Sequence, residues 1–258
     1  MPSDPSGMRH THPDVLRDEL AGLMVRQPAP AGSYDVIVLG VGSMGAATCL
    51  ELARRGYRVI GLERFGIPHG MGSHGGQSRI IRKAYYEHHD YVPLLEAAYR
   101  GWCRLEGETG ERVYHATGLL YFGEPSHPLM AGMRLSAAAY GVPVRDLSSA
   151  EQAERYPACR LPEGFEGLVE PDAGFLTPER SILLQVRQAM ALGACIRTGE
   201  SVLSWSREGE GVEVRTEAGR YRASRLVVTA GPWAGRLLPS LSSRLRVTRQ
   251  VLAWVEPR

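Results

Sequence analysis

The stretch YDVIVLGVGSMGAATCLELARRGYRVIGLE, Tyr34 to Glu63, decides the fold. It opens with a short apolar run that ends at Gly40, which is typical of a strand buried on both faces in a parallel sheet. From Ser43 to Gly56 the apolar residues follow helical spacing, and a glycine ends the segment. A second apolar run then leads to Glu63. The pattern predicts a strand, a helix and a second parallel strand, which together form a βαβ unit.

Three glycines mark the turn between the first strand and the helix, in the pattern Gly40-x-Gly42-x-x-Gly45. Gly40 permits the tight turn, Gly42 lets a pyrophosphate approach the backbone, and Gly45 allows helix and strand to pack closely. The phosphates would lie at the helix N-terminus, beside free N–H groups and the positive end of the helix dipole. Glu63 ends the second strand, where a carboxylate can accept hydrogen bonds from a ribose. The pattern predicts an adenine-dinucleotide site; the alternative is a glycine-rich turn that binds nothing.

The fingerprint does not separate NAD from FAD. The acid at Glu63 disfavours NADP, because a carboxylate would repel the 2′-phosphate.

Composition excludes several other classes of protein. The 258 residues suffice for one large domain or two smaller ones with a real core. A formal net charge of +2, without a long basic block, argues against nucleic-acid binding. No apolar run is long enough to span a membrane. The four cysteines lie far apart without a C-x-x-C pair, so we expect no metal site, a reducing compartment and a cytoplasmic location.

Residues 1–33 are rich in Pro, Ser and Gly and contain one short amphipathic piece. They lack the apolar run of a signal peptide, and their acidic residues argue against a mitochondrial presequence. We interpret this segment as a mobile leader. Downstream, helical patterns cover about 92–108 and 180–193, and strand patterns occur near 117–123, 195–197, 202–205, 212–215, 225–231 and 246–256.

The stretch GSHGGQSRIIRKAYYE, residues 72–87, begins as a flexible loop. It continues with three cations around an apolar pair. Arg79, Arg82 and Lys83 either form a solvated surface or face something anionic. Arg79 and Arg82 are three residues apart, so they share a face on a helical turn and point in opposite directions on a strand. The sequence leaves this choice open.

Four segments together resemble the monomeric sarcosine oxidase group of flavin amine oxidases. This group includes N-methyltryptophan oxidase and pipecolate oxidase, within the D-amino-acid-oxidase-like superfamily. The resemblance rests on residues 35–65, 69–94, 117–123 and 227–238, in order and at suitable spacing. Of these, the segment S-H-G-x-x-[ST]-R-I-I-R, residues 73–82, is far more specific than the glycine fingerprint.

The resemblance implies that the cofactor is FAD. In that case the loop from Ser73 to Arg79 lies along the flavin, and Arg79 faces the isoalloxazine ring. The segment Thr229–Trp233 closes over the cofactor, and the Val202 backbone holds the adenine. The residues expected to bind FAD are Gly40, Gly42, Ser43, Met44, Gly45, Glu63, Arg64, Ser73, Ser78, Arg79, Val202, Ala230, Gly231 and Trp233.

The resemblance also implies the reaction. An N-alkyl amino acid would be oxidised to an imine, with hydride transfer to the flavin and production of hydrogen peroxide from oxygen. The expected catalytic residues are Arg79, Arg82 and His74, with Arg82 gripping the carboxylate of a small amino-acid-type amine. The family's usual second histidine is replaced by Gly75, which removes any base role that rests on it. His74 therefore serves either in catalysis or in packing.

We expect an α/β (α+β overall) architecture with a Rossmann-type FAD-binding domain at 34–115 and 175–245. A second, incomplete substrate domain, built on a mixed β-sheet, is expected at 116–174 and 246–258. Members of the group continue beyond this point and carry there the lysines and the cysteine that act on substrate and flavin. We therefore expect a truncated chain that could be inactive alone, or that a second polypeptide or a second copy could complete.

Two alternatives remain open. One is a non-catalytic FAD-binding remnant or subunit. The other is an NAD-dependent dehydrogenase, which leaves SHGGQSRIIR and TAGPW unexplained.

Overall fold

The computed structural model describes residues 34–159 and 161–253, so the predicted leader lies outside the described residues. The described chain forms two compact units. The first takes in the described residues up to Gln77 and again from Pro178 onward, and the second is Ser78–Thr177. The segment 78–115, which the sequence analysis assigned to the FAD-binding domain, lies in the second unit, because its strands pair there with residues 174–176.

In chain order the strands are β1 (Tyr34–Leu39), β2 (Val59–Leu62), β3 (Arg79–Ile81), β4 (Tyr114–His115), β5 (Leu119–Gly123), β6 (Arg145–Leu147), β7 (Glu166–Glu170), β8 (Gly174–Leu176), β9 (Cys195–Arg197), β10 (Val202–Glu208), β11 (Gly211–Thr216) and β12 (Arg220–Val228). The α-helices are α1 (Ser43–Arg54), α2 (Val92–Thr109), α3 (Pro128–Tyr140), α4 (Ser149–Arg155), α5 (Pro178–Ala191) and α6 (Ala234–Leu237).

A six-stranded sheet in the order β10-β11-β12-β1-β2-β9 forms the first unit's centre. The strands β12, β1, β2 and β9 run parallel to one another, whereas β10, β11 and β12 form an antiparallel meander. The long strand β12 takes part in both arrangements, because its first half pairs with β11 and its second half with β1. The sheet therefore combines parallel and antiparallel pairs, and the predicted α/β fold class is confirmed.

The predicted βαβ unit is present as β1, α1 and β2. The two strands pair in parallel with Val36 opposite Val59 and Leu39 opposite Leu62. Every residue of β2 is buried, and so is all of β1 except Asp35. This explains the continuous apolar runs, since a strand covered on both faces has no polar side to alternate with. The helix α1 packs against α5.

The core of the first unit holds the carboxyl ends of β1 and β2 in place. Burial of one large aliphatic side chain contributes roughly 1.5–3 kcal/mol to the stability of the fold. The buried side chains of this core therefore stabilise the strands that lead into the turn after β1. The core cluster consists of Tyr34, Ile37, Leu39, Ile60, Leu62, Val214, Tyr221 and Ala223.

The second unit contains two three-stranded sheets, β3-β8-β4 and β5-β7-β6. The strand pairs described in both sheets are antiparallel, where the sequence analysis had expected a mixed sheet. The helix α3 packs beside β5 and closes a second core. That core consists of Ala84, Val92, Tyr121, Met130, Met133, Val142 and Leu168.

The predicted last strand, residues 246–256, is wrong over its described part. Residues 246–253 form no strand, and Val251 is 86% exposed. Alternating apolar residues produce a strand only where a neighbouring strand supplies hydrogen-bond partners, and no described strand pairs with this segment. Residues 254–256 lie outside the described part of the chain.

Candidate functional site

The turn from β1 into α1 depends on two of its three glycines for packing. Gly40 has φ of +90°, a conformation that favours glycine, and a Cβ there would approach the Thr229 carbonyl oxygen to 2.6 Å. A Cβ at Gly45 would overlap the carbonyl oxygen of Gly40. At Gly42, by contrast, a Cβ would meet only the His74 ring, at 3.4 Å. The chain's own packing therefore does not require glycine at position 42.

A cavity of about 580 Å³ lies beside this turn in the first unit. It is bounded by the start of α1, the ends of β1, β2 and β12, and the start of β10. The structure thus brings together most residues of the predicted FAD site. Those that line the cavity are Gly40, Gly42, Ser43, Met44, Glu63, Arg64, Ser73, Val202, Ala230, Gly231 and Trp233, and the predicted catalytic residue His74 lines it as well.

The N-terminus of α1 faces this cavity with backbone N–H groups that have no acceptor within the helix. The first backbone bond within the helix runs from Ala46 N–H to the Gly42 carbonyl oxygen at 2.8 Å, so the three preceding N–H groups have no partner inside the helix. Gly42 supplies no capping side chain, and the first turn contains no acidic residue. The positive end of a 12-residue helix is therefore available to an anion.

The carboxylate of Glu63 is buried at the end of β2. Its Oε2 accepts the Val41 N–H at 2.8 Å, and its Oε1 accepts the Phe65 N–H at 2.9 Å. The Nε2 atom of His69 lies 3.5 Å from Oε1. Burial alone would raise the pKa of Glu63, but the hydrogen bonds from His69, Phe65 and Val41 outweigh it and hold the pKa below its ordinary value. Glu63 is therefore an ionised acceptor at neutral pH.

Aromatic side chains cover one wall of the cavity. The rings of Phe65 and Trp233 lie 5.5 Å apart between centroids. The guanidinium carbon of Arg64 lies 5.4 Å from the centroid of Phe65 and 6.0 Å from that of Trp233. This group places a cation and two flat apolar surfaces where a ligand can contact them.

Two histidines pack together on the same side. His69 and His74 are both buried, and their ring centroids lie 5.0 Å apart in an edge-on arrangement. The ring of His74 also lies next to Gly42 and Gly72. The predicted catalytic residue His74 therefore sits against the glycine turn of the cavity, and its role remains a prediction.

Two interactions in the cavity wall were not predicted from the sequence: the bond made by Thr229, which was expected only to close over the cofactor, and those of the buried acid Glu200. The Thr229 hydroxyl donates to the Gly40 carbonyl oxygen at 2.7 Å and so ties the end of β12 to the glycine turn. Glu200, almost fully buried, accepts the Tyr221 hydroxyl at 2.6 Å and the Thr216 hydroxyl at 2.7 Å. No local pattern marks these residues, because their partners are distant in sequence. His69 could have been found only as a histidine shortly after the strand that ends in Glu63.

The second unit contains Ser78, Arg79 and Arg82. Arg79 begins β3, and its Nη1 donates to the Ser78 carbonyl oxygen at 3.2 Å. Because residues 79–81 form a strand, Arg79 and Arg82 do not share the face of a helical turn. This answers the question that the sequence left open.

Arg82 follows β3 directly and is already bound to a carboxylate. Its Nη2 donates to the two carboxylate oxygens of Glu87 at 3.0 and 3.3 Å. The guanidinium carbon lies 4.6 Å from the centroid of the Tyr85 ring. The position therefore suits a carboxylate held against an aromatic surface.

A fully buried acid fixes the backbone just after Arg82. The Glu170 carboxylate accepts the Lys83 N–H at 2.6 Å, the Ala84 N–H at 3.3 Å and the Tyr121 hydroxyl at 3.2 Å. Burial raises the pKa of Glu170 above its ordinary value, although these hydrogen bonds oppose the shift. This acid at the end of β7 was not predicted.

Among the residues that the structure describes, no helix is both long enough and apolar enough to cross a membrane.

Comparison with known proteins assigns the chain to a class. The model of the family described as "DAO: FAD dependent oxidoreductase" matches residues 35–258. The chain therefore belongs to this family of FAD-dependent oxidoreductases, and the resemblance expected from its motifs is confirmed.

The chain is 37% identical over 226 residues to the monomeric sarcosine oxidase of Streptomyces avermitilis, and the match covers 88% of this chain and 59% of that protein. It is 34% identical over 221 residues to the N-methyl-L-tryptophan oxidase of Yersinia pestis, with coverage of 86% and 59%. The chain thus spans 59% of the length of these two relatives.

Solved structures show the same fold. NikD, an unusual amino acid oxidase essential for nikkomycin biosynthesis, matches with a TM-score of 0.72 and 31% identity, over 82% of this chain and 55% of that one. An L-proline dehydrogenase from P. horikoshii matches with a TM-score of 0.70 at 21% identity, over 84% of this chain and 57% of that one, and so supports the fold alone.

Proposed function

We propose that the first unit binds FAD in the cavity beside the glycine turn. The observation that carries this proposal is the pairing of two features on one cavity: the N-terminus of α1, whose first N–H groups have no acceptor within the helix, and the ionised carboxylate of Glu63. The first suits a pyrophosphate, and the second suits ribose hydroxyl groups. Because Gly42 has no side chain, a ligand can approach the backbone there, and the packing of the chain does not itself require glycine at this position. The donors and acceptors present therefore fit the adenosine diphosphate part of FAD.

Each part of the cavity then has a role toward the cofactor. The backbone N–H groups of Ser43 and Met44 would bind phosphate oxygens, and the Val202 backbone would contact the adenine. Arg64 would offer a cation, and Trp233 a flat apolar surface, to the remaining part of FAD. Ser73, Ala230 and Gly231 would contribute backbone and hydroxyl groups from two loops. Ser78 and Arg79 belong to the proposed FAD site through the family resemblance alone.

We further propose that the protein oxidises the C–N bond of a secondary amine or N-methyl amino acid to an imine. Bound FAD would supply the acceptor for a hydride from the carbon next to the nitrogen. The nitrogen loses a proton, oxygen takes up two electrons and two protons to give hydrogen peroxide, and water hydrolyses the imine. The family membership and the two oxidases among the relatives support this reaction class.

Arg82 is proposed to bind the substrate carboxylate. The ion pair with Glu87 supports this role, because it demonstrates that the guanidinium accommodates a carboxylate in this setting. Arg79, as a cation, would stabilise negative charge on a reduced flavin. A cytoplasmic location stays a prediction.

The proposal is tested by the visible spectrum of the FAD-loaded chain during anaerobic titration with N-methyl amino acids. We expect the flavin absorbance to bleach, and we expect hydrogen peroxide to form when air is admitted. A bound flavin that no amine bleaches would contradict the oxidase proposal and would favour the FAD-binding remnant. Failure to bind FAD at all would contradict both.

A further inference from the structure

His69 is a buried histidine on the cavity wall to which the proposed reaction gives no role. Its Nδ1 atom accepts the Met71 N–H at 3.1 Å. A ring nitrogen that accepts a hydrogen bond carries no proton, so the neutral ring must carry its proton on Nε2. The loop geometry thus selects one tautomer of His69.

That tautomer directs its single N–H toward Glu63. The Nε2 atom lies 3.5 Å from Oε1 of Glu63, in a polar contact between two nearly fully buried side chains. The His69 ring is held on its other sides by Phe65, at 5.1 Å between centroids, and by His74, at 5.0 Å. Its orientation is therefore set by packing as well as by the Met71 N–H.

The acceptor positions of Glu63 can then be counted. A carboxylate offers about four lone-pair sites, two on each oxygen. Oε1 receives the Phe65 N–H and faces His69, so both of its sites are used. Oε2 receives the Val41 N–H and has one site left. Because Glu63 lines the cavity, the remaining site suits one hydroxyl of a ligand ribose.

We propose that His69 is a positioning residue that fixes the Glu63 carboxylate for recognition of the adenosine ribose. This inference rests on the proposed FAD site. His69 occupies one lone pair of Oε1, prevents rotation of the carboxylate, and so presents Oε2 to the ribose. Its contribution to affinity passes through Glu63 and depends on the hydroxyl groups of the ribose.

The experiment compares three substitutions by titration of FAD, followed by flavin fluorescence. His69→Phe keeps the ring and its packing but removes the donor, and His69→Asn keeps a polar group that is too short to reach Glu63. His69→Gln places an N–H donor near the original Nε2. We expect Phe and Asn to weaken FAD binding about tenfold, and Gln to stay within about threefold, as suits a hydrogen bond to a charged group. His88→Phe, an exposed histidine in the second unit, serves as the control and should leave the dissociation constant unchanged.

Two further comparisons separate positioning from general support of the fold. In a Glu63→Leu background, which has no acceptor at this position, His69→Phe should weaken FAD binding no further, because the interaction between the two side chains is already absent. His69→Phe should also weaken binding of ADP but not of 2′,3′-dideoxy-ADP, which has no ribose hydroxyl.

The outcomes are distinct. If the wild-type chain does not bind FAD, the proposed function fails. If the wild type binds FAD and the Phe and Asn variants bind it as tightly as the wild type does, the inference about His69 is overturned. Equal losses for ADP and 2′,3′-dideoxy-ADP would also overturn it, because a merely structural histidine would affect both nucleotides alike. If His69→Phe does not fold, the contrast between Asn and Gln decides the same question.

Discussion

The carboxylate of Glu63 accepts a hydrogen bond from the backbone N–H of Val41 at 2.8 Å. Val41 stands between the first two glycines of the turn, so an acid at the end of β2 holds the loop that follows β1. The same carboxylate also accepts the Phe65 N–H, which fixes the start of the next loop. One side chain therefore organises the glycine turn and offers an acceptor to the cavity.

We expect Glu63→Leu to lower the free energy of unfolding by about 3 kcal/mol, because it leaves the N–H groups of Val41 and Phe65 without their acceptor. Glu63→Gln keeps one acceptor oxygen and should cost about 1 kcal/mol. Urea unfolding at pH 7 measures both values. Glu51→Gln, an exposed acid on α1, is the control. Equal stability of the Leu variant and the wild type would contradict the role given to Glu63.

The three glycines of the turn are not equivalent. Gly45→Ala would drive a methyl group into the Gly40 carbonyl oxygen, so we expect a loss of about 3 kcal/mol in unfolding free energy. Gly66→Ala places its methyl group in open space and should change stability by less than about 0.5 kcal/mol. Thermal melting of the two variants gives the comparison. A Gly45→Ala protein as stable as the Gly66→Ala protein would refute the close contact between helix and strand.

Glu200 should make stability depend on pH. Burial raises its pKa, but hydrogen bonds from Thr216, Tyr221 and Arg197 outweigh it, so the pKa is lowered. A lowered folded-state pKa means that the stabilisation is present above the ordinary carboxyl pKa and is lost as the pH falls through the lowered value. We expect Glu200→Gln to cost about 2 kcal/mol at pH 7 and progressively less in acid.

Urea unfolding of the Glu200→Gln variant from pH 7 down to pH 3 measures this dependence. The stability difference between the Glu200→Gln variant and the wild type should shrink as the pH falls. Glu210→Gln, on the exposed turn between β10 and β11, should show no such pH-dependent difference. A stability difference for Glu200→Gln that stays constant across the series would show that ionisation of Glu200 does not matter.

The ion pair of Arg82 and Glu87 predicts competition at the proposed carboxylate site. A substrate carboxylate must replace Glu87 on the same guanidinium, so Glu87→Gln should lower the KM for an N-methyl amino acid. Arg82→Lys loses the bidentate geometry and should raise that KM about tenfold. Steady-state oxidation of a carboxylate substrate measures both effects. Arg104→Lys, in the exposed pair with Glu108, should have no effect. An unchanged KM in the Arg82→Lys variant would remove Arg82 from the substrate site.

Part of this molecule could be predicted from its sequence because the signals are local. The glycine turn and Glu63 lie within one βαβ unit, where periodicity and spacing determine the geometry. The strands at residues 195–197 and 202–205 were also expected, since turn residues separate them clearly.

Other features could not be predicted because they depend on distant partners. Thr229 contacts Gly40 from 189 residues away, and Glu200 and Glu170 acquire their roles only when strands from separate parts of the chain meet. The segment 246–253 has the alternation of a strand but, in the described structure, no partner strand. His69 gave only a weak signal, its position shortly after Glu63, since its role depends on the contact with Glu63 and on the hydrogen bond from the Met71 N–H.

The central claim is that FAD binds against the backbone at Gly42, and a titration of FAD into the wild-type chain and the Gly42→Ala variant tests it most directly. The structure leaves room for this methyl group beside His74, so the variant should fold with the melting temperature of the wild type. We expect the wild type to bind FAD and the variant to bind it at least about tenfold more weakly, because the methyl group occupies the space of the pyrophosphate. Equal affinity of the two proteins for FAD would contradict the proposed site.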